Sequence, residues 1–97
     1  MEKIKMPNAS NLSLCTGQVV KNVYIDKSGS YCTFVASQDG SDQSNTYGVN
    51  LDSNAGDSIN NALLSALNKG YLVDFNTSAS AIGGAVEVID LKVYLKK

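Results

Sequence analysis

The sequence predicts a mainly β domain, a β-barrel of five strands with one helix inserted between the third and the fourth. Three observations carry this. A single stretch, residues 57–69, has a helical apolar period. The segments before and after it alternate with a period of two and are broken by turn residues. The last apolar run changes phase once, as strands do where a bulge bends them at a barrel corner.

The helix comes first because everything else is placed around it. In DSINNALLSALNKG (57–70), Ile59, Ala62, Leu63, Ala66 and Leu67 recur at i, i+3, i+4, i+7 and i+8, which sets them on one face. Asp57 is the expected N-cap, its carboxylate accepting an amide of the first turn. Gly70 suits the left-handed position that ends a helix, and Lys69 suits the negative end of its dipole. Tyr71, Val73 and Phe75 then alternate with Leu72 and Asp74 as a fourth strand.

Before the helix, residues 1–13 are polar, contain the only proline, Pro7, and read as an N-terminal arm. Residues 14–26 form a first strand rich in valine, with Tyr24 and Ile25, bent near Gly17. Residues 26–30 (DKSGS) are a turn, Gly29 being free to take positive φ. The second strand, 31–36, sets Cys32, Phe34 and Ala36 on one side, with Cys32 roughly opposite Tyr24. A polar loop (37–45) leads to a short third strand at 46–51. After the fourth strand, 76–84 reads as a small-residue loop and 85–95 as a long fifth strand. In it Val86 and Val88 hold one phase, and Ile89, Leu91, Val93 and Leu95 the other. Residues 1–97 make one domain, without repeats or linkers. Three strands, a helix and two strands is the layout of the OB-fold, a small Greek-key barrel. A five-stranded α+β sheet of another topology is the structural alternative.

Composition limits what such a barrel can do. The formal net charge is −1, with eight Lys, no Arg and nine acids, and only 18% of residues are charged, against about 25% in soluble domains generally. Twelve Ser and ten Asn supply the polarity instead. With no histidine there is neither a Ser-His nor a Cys-His pair, and a zinc site would have only two thiols and carboxylates. Asp39, Asp42, Asp52 and Asp57 stand where turns and caps use aspartate, and neither DGSDQSN nor DSNAGD matches a calcium loop. No catalytic group, cofactor or metal is therefore expected. Single-strand nucleic-acid binders need a positive groove beside their stacking rings; scattered lysines and a negative net charge argue against that partner. No run approaches the ~20 apolar residues of a membrane span. MEKIKMPNAS lacks the apolar core of a leader, so export would make this the mature form.

Oligosaccharide binding, the other use of the fold, needs exposed rings with hydroxyl and amide partners. Tyr24, Tyr31, Tyr47 and Tyr71, with nearby Ser and Asn, are the candidates. On the helix, Asn61, Ser65 and Asn68 lie opposite the apolar stripe. That uncharged face can pack against copies of itself, or it is an ordinary exposed face. Cys15 and Cys32 permit one disulfide if the chain before Gly17 folds back; otherwise they are two separate thiols.

Two segments carry a resemblance. NALLSALNKGYLVDF (61–75) and TGQVVKNVYIDKSGSYCTFVAS (16–37), together over a third of the chain, resemble the matching parts of bacterial toxin B subunits of the subtilase cytotoxin and typhoid toxin type. The resemblance implies an OB-fold forming a pentameric ring that binds host cell-surface glycans, often sialylated. It also implies a catalytic A subunit docked over a pore lined by the helices, here by Asn61, Ser65 and Asn68, and a secreted or periplasmic protein. The family's sialic-acid segment precedes its Gly-Gln and would fall near Met6–Asn8, where no matching serine motif stands. The family's second cysteine follows the second strand, whereas Cys15 precedes the first. The alternative is a stand-alone OB-type interaction or structural domain with no toxin partner.

Overall fold

The computed structural model describes residues 13–96. The expected arm and the Met6–Asn8 segment fall outside them, apart from Ser13, which is already paired in the first strand. The elements are β1 (Ser13–Ile25), β2 (Tyr31–Gln38), β3 (Ser44–Asn50), α1 (Gly56–Lys69), β4 (Leu72–Ile82) and β5 (Ala85–Tyr94). The strands close in the order β1-β2-β3-β5-β4, which rules out the open α+β sheet. All pairings are antiparallel except β3 with β5, a short parallel contact at Tyr47↔Val86 and Gly48↔Glu87. This is a closed, mixed, OB-like barrel.

Closure depends on bends. β1 loses register between Cys15 and Gln18, around the expected Gly17, where φ is +59°. A second shift between Val20 and Asn22 reverses the phase. Val20 is thus buried before it, while Val23 packs on the core after it. In β5, Thr77↔Val88 is followed by Asn76↔Asp90, so Ile89 is the extra residue at the expected phase change.

β4 is longer than the sequence suggested. Its second half, where a loop was expected, pairs with β5 as far as Ile82↔Ala85 around a Gly83–Gly84 turn. Asn, Ser and Ala have little intrinsic strand preference, and pairing across the turn overrides it.

The helix ends where expected, on Gly70 with φ +72°. It starts earlier. Ala55 is the N-cap without a side-chain bond, and Asp57 lies in the first turn, where its charge still faces the positive end of the dipole. The start is fixed by packing, because a Cβ on Gly56 would collide with the Asn50 carbonyl and the Leu51 backbone. Ile59, Leu63 and Ala66 are buried, Ala62 is half-buried, and Leu67 sits at the margin. They meet Val20, Cys32, Phe34, Val49, Val73, Phe75 and Val88 in one core. Each full burial contributes about 1.5–3 kcal/mol for the larger side chains.

Candidate functional site

The register of the first hairpin decides which residues share its outer face. Cys32 lies opposite Ile25, not Tyr24 as the turn position suggested. Directly opposed residues point to the same side of a sheet. Val23, Phe34 and Tyr47 therefore face inward together, as do Cys32 and Val49, while Ile25, in register with them at the strand end, remains exposed. The outer face carries Asn22, Tyr24 and Asp26 from the first strand and its turn, Tyr31, Thr33 and Val35 from β2, and Thr46, Gly48 and Asn50 from β3. The β4–β5 turn crosses this face. A Cβ on Gly83 would enter the Tyr31 ring and lie 3.2 Å from Thr33 Cγ2. In OB-folds the β2–β3 face and the β1–β2 and β4–β5 loops are where oligonucleotides and oligosaccharides are held. Here those loops converge on Tyr31.

Tyr24, Asp26 and Tyr31 form the centre of the face. The Asp26 amide donates to the Tyr31 carbonyl at 3.1 Å, closing the hairpin. Asp26 Oδ2 accepts the Ser28 amide at 3.0 Å, an Asx-type turn that fixes the carboxylate. Ser28, through its hydroxyl and its amide, holds the Asp26 carboxyl below the usual carboxylate range, and the Tyr31 and Tyr24 hydroxyls beside it act the same way. Asp26 in turn pushes the Tyr31 phenol up. Tyr24 is 57% exposed, so its ring is available to a ligand. The patch offers two rings, an acceptor-only carboxylate and short polar groups. It has no nucleophile–base pair.

The other two tyrosines are elsewhere. Tyr47 packs 5.4 Å from Phe34 and 4.8 Å from Phe75, centroid to centroid, as part of the aromatic core rather than as an exposed ring. Tyr71 follows the helix cap and rests against the core. Cys15 and Cys32 are both free. Cys15 opposes Phe75 at one end of β1 and lies 4.0 Å from the Tyr47 hydroxyl, whereas Cys32 opposes Ile25 at the other end. Burial pushes the Cys32 thiol up. Asn61, Ser65 and Asn68 are all exposed on α1.

Two clefts lie away from this face. One, of about 280 Å³, is lined by Leu14, Asp74, Asn76, Asp90 and Lys92 among others. Its carboxylates are already engaged, Asp74 by the Gly17 amide and the Tyr94 phenol, Asp90 by the backbone and side-chain amides of Asn76. The other, of about 240 Å³, runs between α1 and β5, with Ile59, Ala62, Ile89 and Leu91 in its walls. Among the described residues no three His, Cys, Asp or Glu side chains converge as a metal site, and no helix is long and apolar enough to cross a membrane.

Of the four tyrosines the sequence proposes, the fold sets Tyr24 and Tyr31 on one face, together with Asp26, Thr33 and Gly83, which sequence reasoning did not single out. Asp26 read only as a turn residue, and Thr33 became legible with the register. Gly83 takes its place from the contact across the barrel mouth. No protein-family model and no curated protein matches this sequence.

Proposed function

We propose that this protein is a non-catalytic, glycan-binding B subunit of an AB-type bacterial toxin, exported, ring-forming, and acting to deliver a catalytic A subunit. The observation that carries the glycan part is the Tyr24–Asp26–Tyr31 patch at the meeting of the β1–β2 and β4–β5 turns. Sugars present an apolar C–H face and a rim of hydroxyls; rings take the first, and a carboxylate with neighbouring polar groups takes the second. Support for the ring comes from α1, whose outward Asn61, Ser65 and Asn68 carry no charge. Like faces can then approach one another without repulsion. Support for delivery comes from the two segments that resemble toxin B subunits.

Light scattering on a sizing column tests the ring. The subunit is 10.3 kDa, and the expected mass is about five times that, the pentamer the resemblance implies. A monomer at every concentration removes the ring and the pore, and leaves a stand-alone OB-type interaction domain. A glycan array tests the patch, and Tyr24→Ala should abolish the wild-type signal. A signal that persists in this variant assigns the sugar to another surface.

A further inference from the structure

We infer that the Tyr24–Asp26–Tyr31 patch takes the hydroxyls of a neutral sugar and rejects a sugar that carries its own carboxylate. The inference rests on the glycan-binding reading above and narrows its ligand class. An ionised carboxylate only accepts hydrogen bonds, at about four lone-pair positions on two oxygens. At Asp26 one of these is taken by the Ser28 amide on Oδ2, and the Ser28, Tyr31 and Tyr24 hydroxyls lie beside the others. Ser28 cannot swing away freely, because its own hydroxyl accepts the Ser30 amide at 3.2 Å. A ligand that reaches the Asp26 carboxylate replaces those neighbouring hydroxyls, and it can do so only with O–H or N–H donors of its own. Two adjacent sugar hydroxyls meet that need as a charge-assisted pair.

The rings define where the sugar lies. Tyr31 has Gly83 against one ring edge, so the β4–β5 turn helps to hold it in place, and its side chain is half-buried rather than covered. Tyr24 stands opposite Thr33 on the neighbouring strand and is exposed. A pyranose set over Tyr24 and Tyr31 would turn its hydroxyl edge to Asp26.

Charge decides between ligand classes. An acidic sugar brings a second carboxylate to a group that has no proton to donate, and like charges placed together discriminate strongly. Glu87, in register with Gly48 on the same sheet, adds negative charge at the far side of the face. Lys27 is exposed in the turn and Lys21 sits back at the β1 bulge. Neither of these cations is in an ion pair with Asp26, and they do not outweigh the two acids across the patch.

The test uses the full chain on an array of galactose-terminated glycans, each printed also with a sialic-acid cap, followed by titration of the strongest hit. The Asp26→Asn variant keeps an amide oxygen for the Ser28 N–H, so the turn should persist, and an unchanged thermal melt checks this. The expected result is binding to uncapped glycans, at least about tenfold weaker binding to their capped counterparts, and about a tenfold loss for Asp26→Asn on the uncapped hit. Equal or stronger binding to the capped forms overturns this inference and leaves the glycan reading standing. Binding indifferent to Asp26→Asn also overturns it, by removing Asp26 from the site. No signal on any glycan overturns the glycan reading itself.

Discussion

The phenol of Tyr94 donates to Asp74 Oδ1 at 2.8 Å, and the same oxygen accepts the backbone amide of Gly17 at 2.8 Å. One atom therefore ties β4 to the end of β5 and to the bend of β1. Gly17 lies where the β1–β4 register breaks between Cys15 and Gln18, so its amide is lost to the ladder. Asp74 supplies the partner that the ladder cannot, and an amide left without one would cost more than the bond itself contributes. Lys92, 5.6 Å from the Tyr94 ring centroid, adds a cation over the same ring.

Replacing Asp74 by Ala should destabilise the barrel by about 0.5–1.5 kcal/mol, and Tyr94→Phe, which leaves the Gly17 bond in place, by less. The two share one oxygen, so the double variant should cost less than the sum. Urea titrations of the four proteins measure this. Additive losses would mean that Tyr94 and Asp74 act independently.

The same contact predicts an acid sensitivity. The Gly17 amide, with help from Tyr94 and Lys92, holds the Asp74 carboxyl below the usual carboxylate range. Because the folded-state pKa lies below the unfolded one, the stabilisation is complete above the unfolded value, about 3.9. It is lost as pH falls through the folded value. Melting temperatures of wild type and Asp74→Ala should therefore converge on acidification and stay apart at neutral pH. A constant gap between them across that range would contradict the assignment.

Gly48 is the point where β3 meets β5, and its Cβ position is occupied. A methyl there would sit 2.5 Å from the Ile82 carbonyl oxygen and 2.6 Å from Ile82 Cγ2. Gly48 has ordinary strand geometry, so backbone strain is not the issue; overpacking is. Gly48→Ala should cost about 1–3 kcal/mol and loosen the β3–β5 seam, visible as faster amide exchange at Gly48 and Glu87. An unchanged melt would show that Ile82 moves aside freely.

The barrel was readable because its signals are local. The helix stripe ends in Gly70, and the Val88–Ile89 phase change marks the β5 bulge; both lie in single windows of sequence. What escaped depends on pairs. The hairpin turn was located, yet a register one residue off exchanges the inner and outer sets. It hid that Asp26 and Tyr31 share a face while Cys32 points into the core. Tyr47 read as an exposed ring, although its slot between Phe34 and Phe75 exists only after three strands assemble. The N-cap was misplaced for a similar reason: the tight approach of Gly56 to Asn50 and Leu51 belongs to tertiary packing, and it outweighs the capping preference of Asp57.

The two thiols should differ sharply in reactivity. Cys15 is half-buried near the barrel surface, whereas Cys32 is wholly buried among core residues with its thiol pushed up by that burial. Thiolate is the reactive form, so iodoacetamide should label Cys15 first in the native protein and reach Cys32 only on unfolding. Unfolding without reductant should yield two alkylated cysteines by mass. An intact mass two hydrogens short would reveal a bridge and contradict the placing of Cys15 on β1 and Cys32 on β2 at opposite ends of the β1 strand.

The outward face of α1 gives the sharpest test of assembly. Asn61, Ser65 and Asn68 are exposed and lie away from Ile59, Leu63 and Ala66, so lysines at all three positions would touch nothing in the subunit core. Surface changes of this kind alter subunit stability by only about 0.5 kcal/mol or less in either direction. In a ring whose helices line a pore, every subunit would contribute three positive charges to one confined space. Charges brought closer than a Debye length, about 8 Å at physiological salt, repel with little screening. The triple variant should therefore fold with a near-native circular dichroism spectrum and sediment as monomers, with assembly partly restored at high salt. Matching aspartates should do the same, since the sign of the charge is immaterial to self-repulsion. If the lysine variant keeps the wild-type mass, this helix face does not line a pore, and the ring, where one forms, is built from other surfaces.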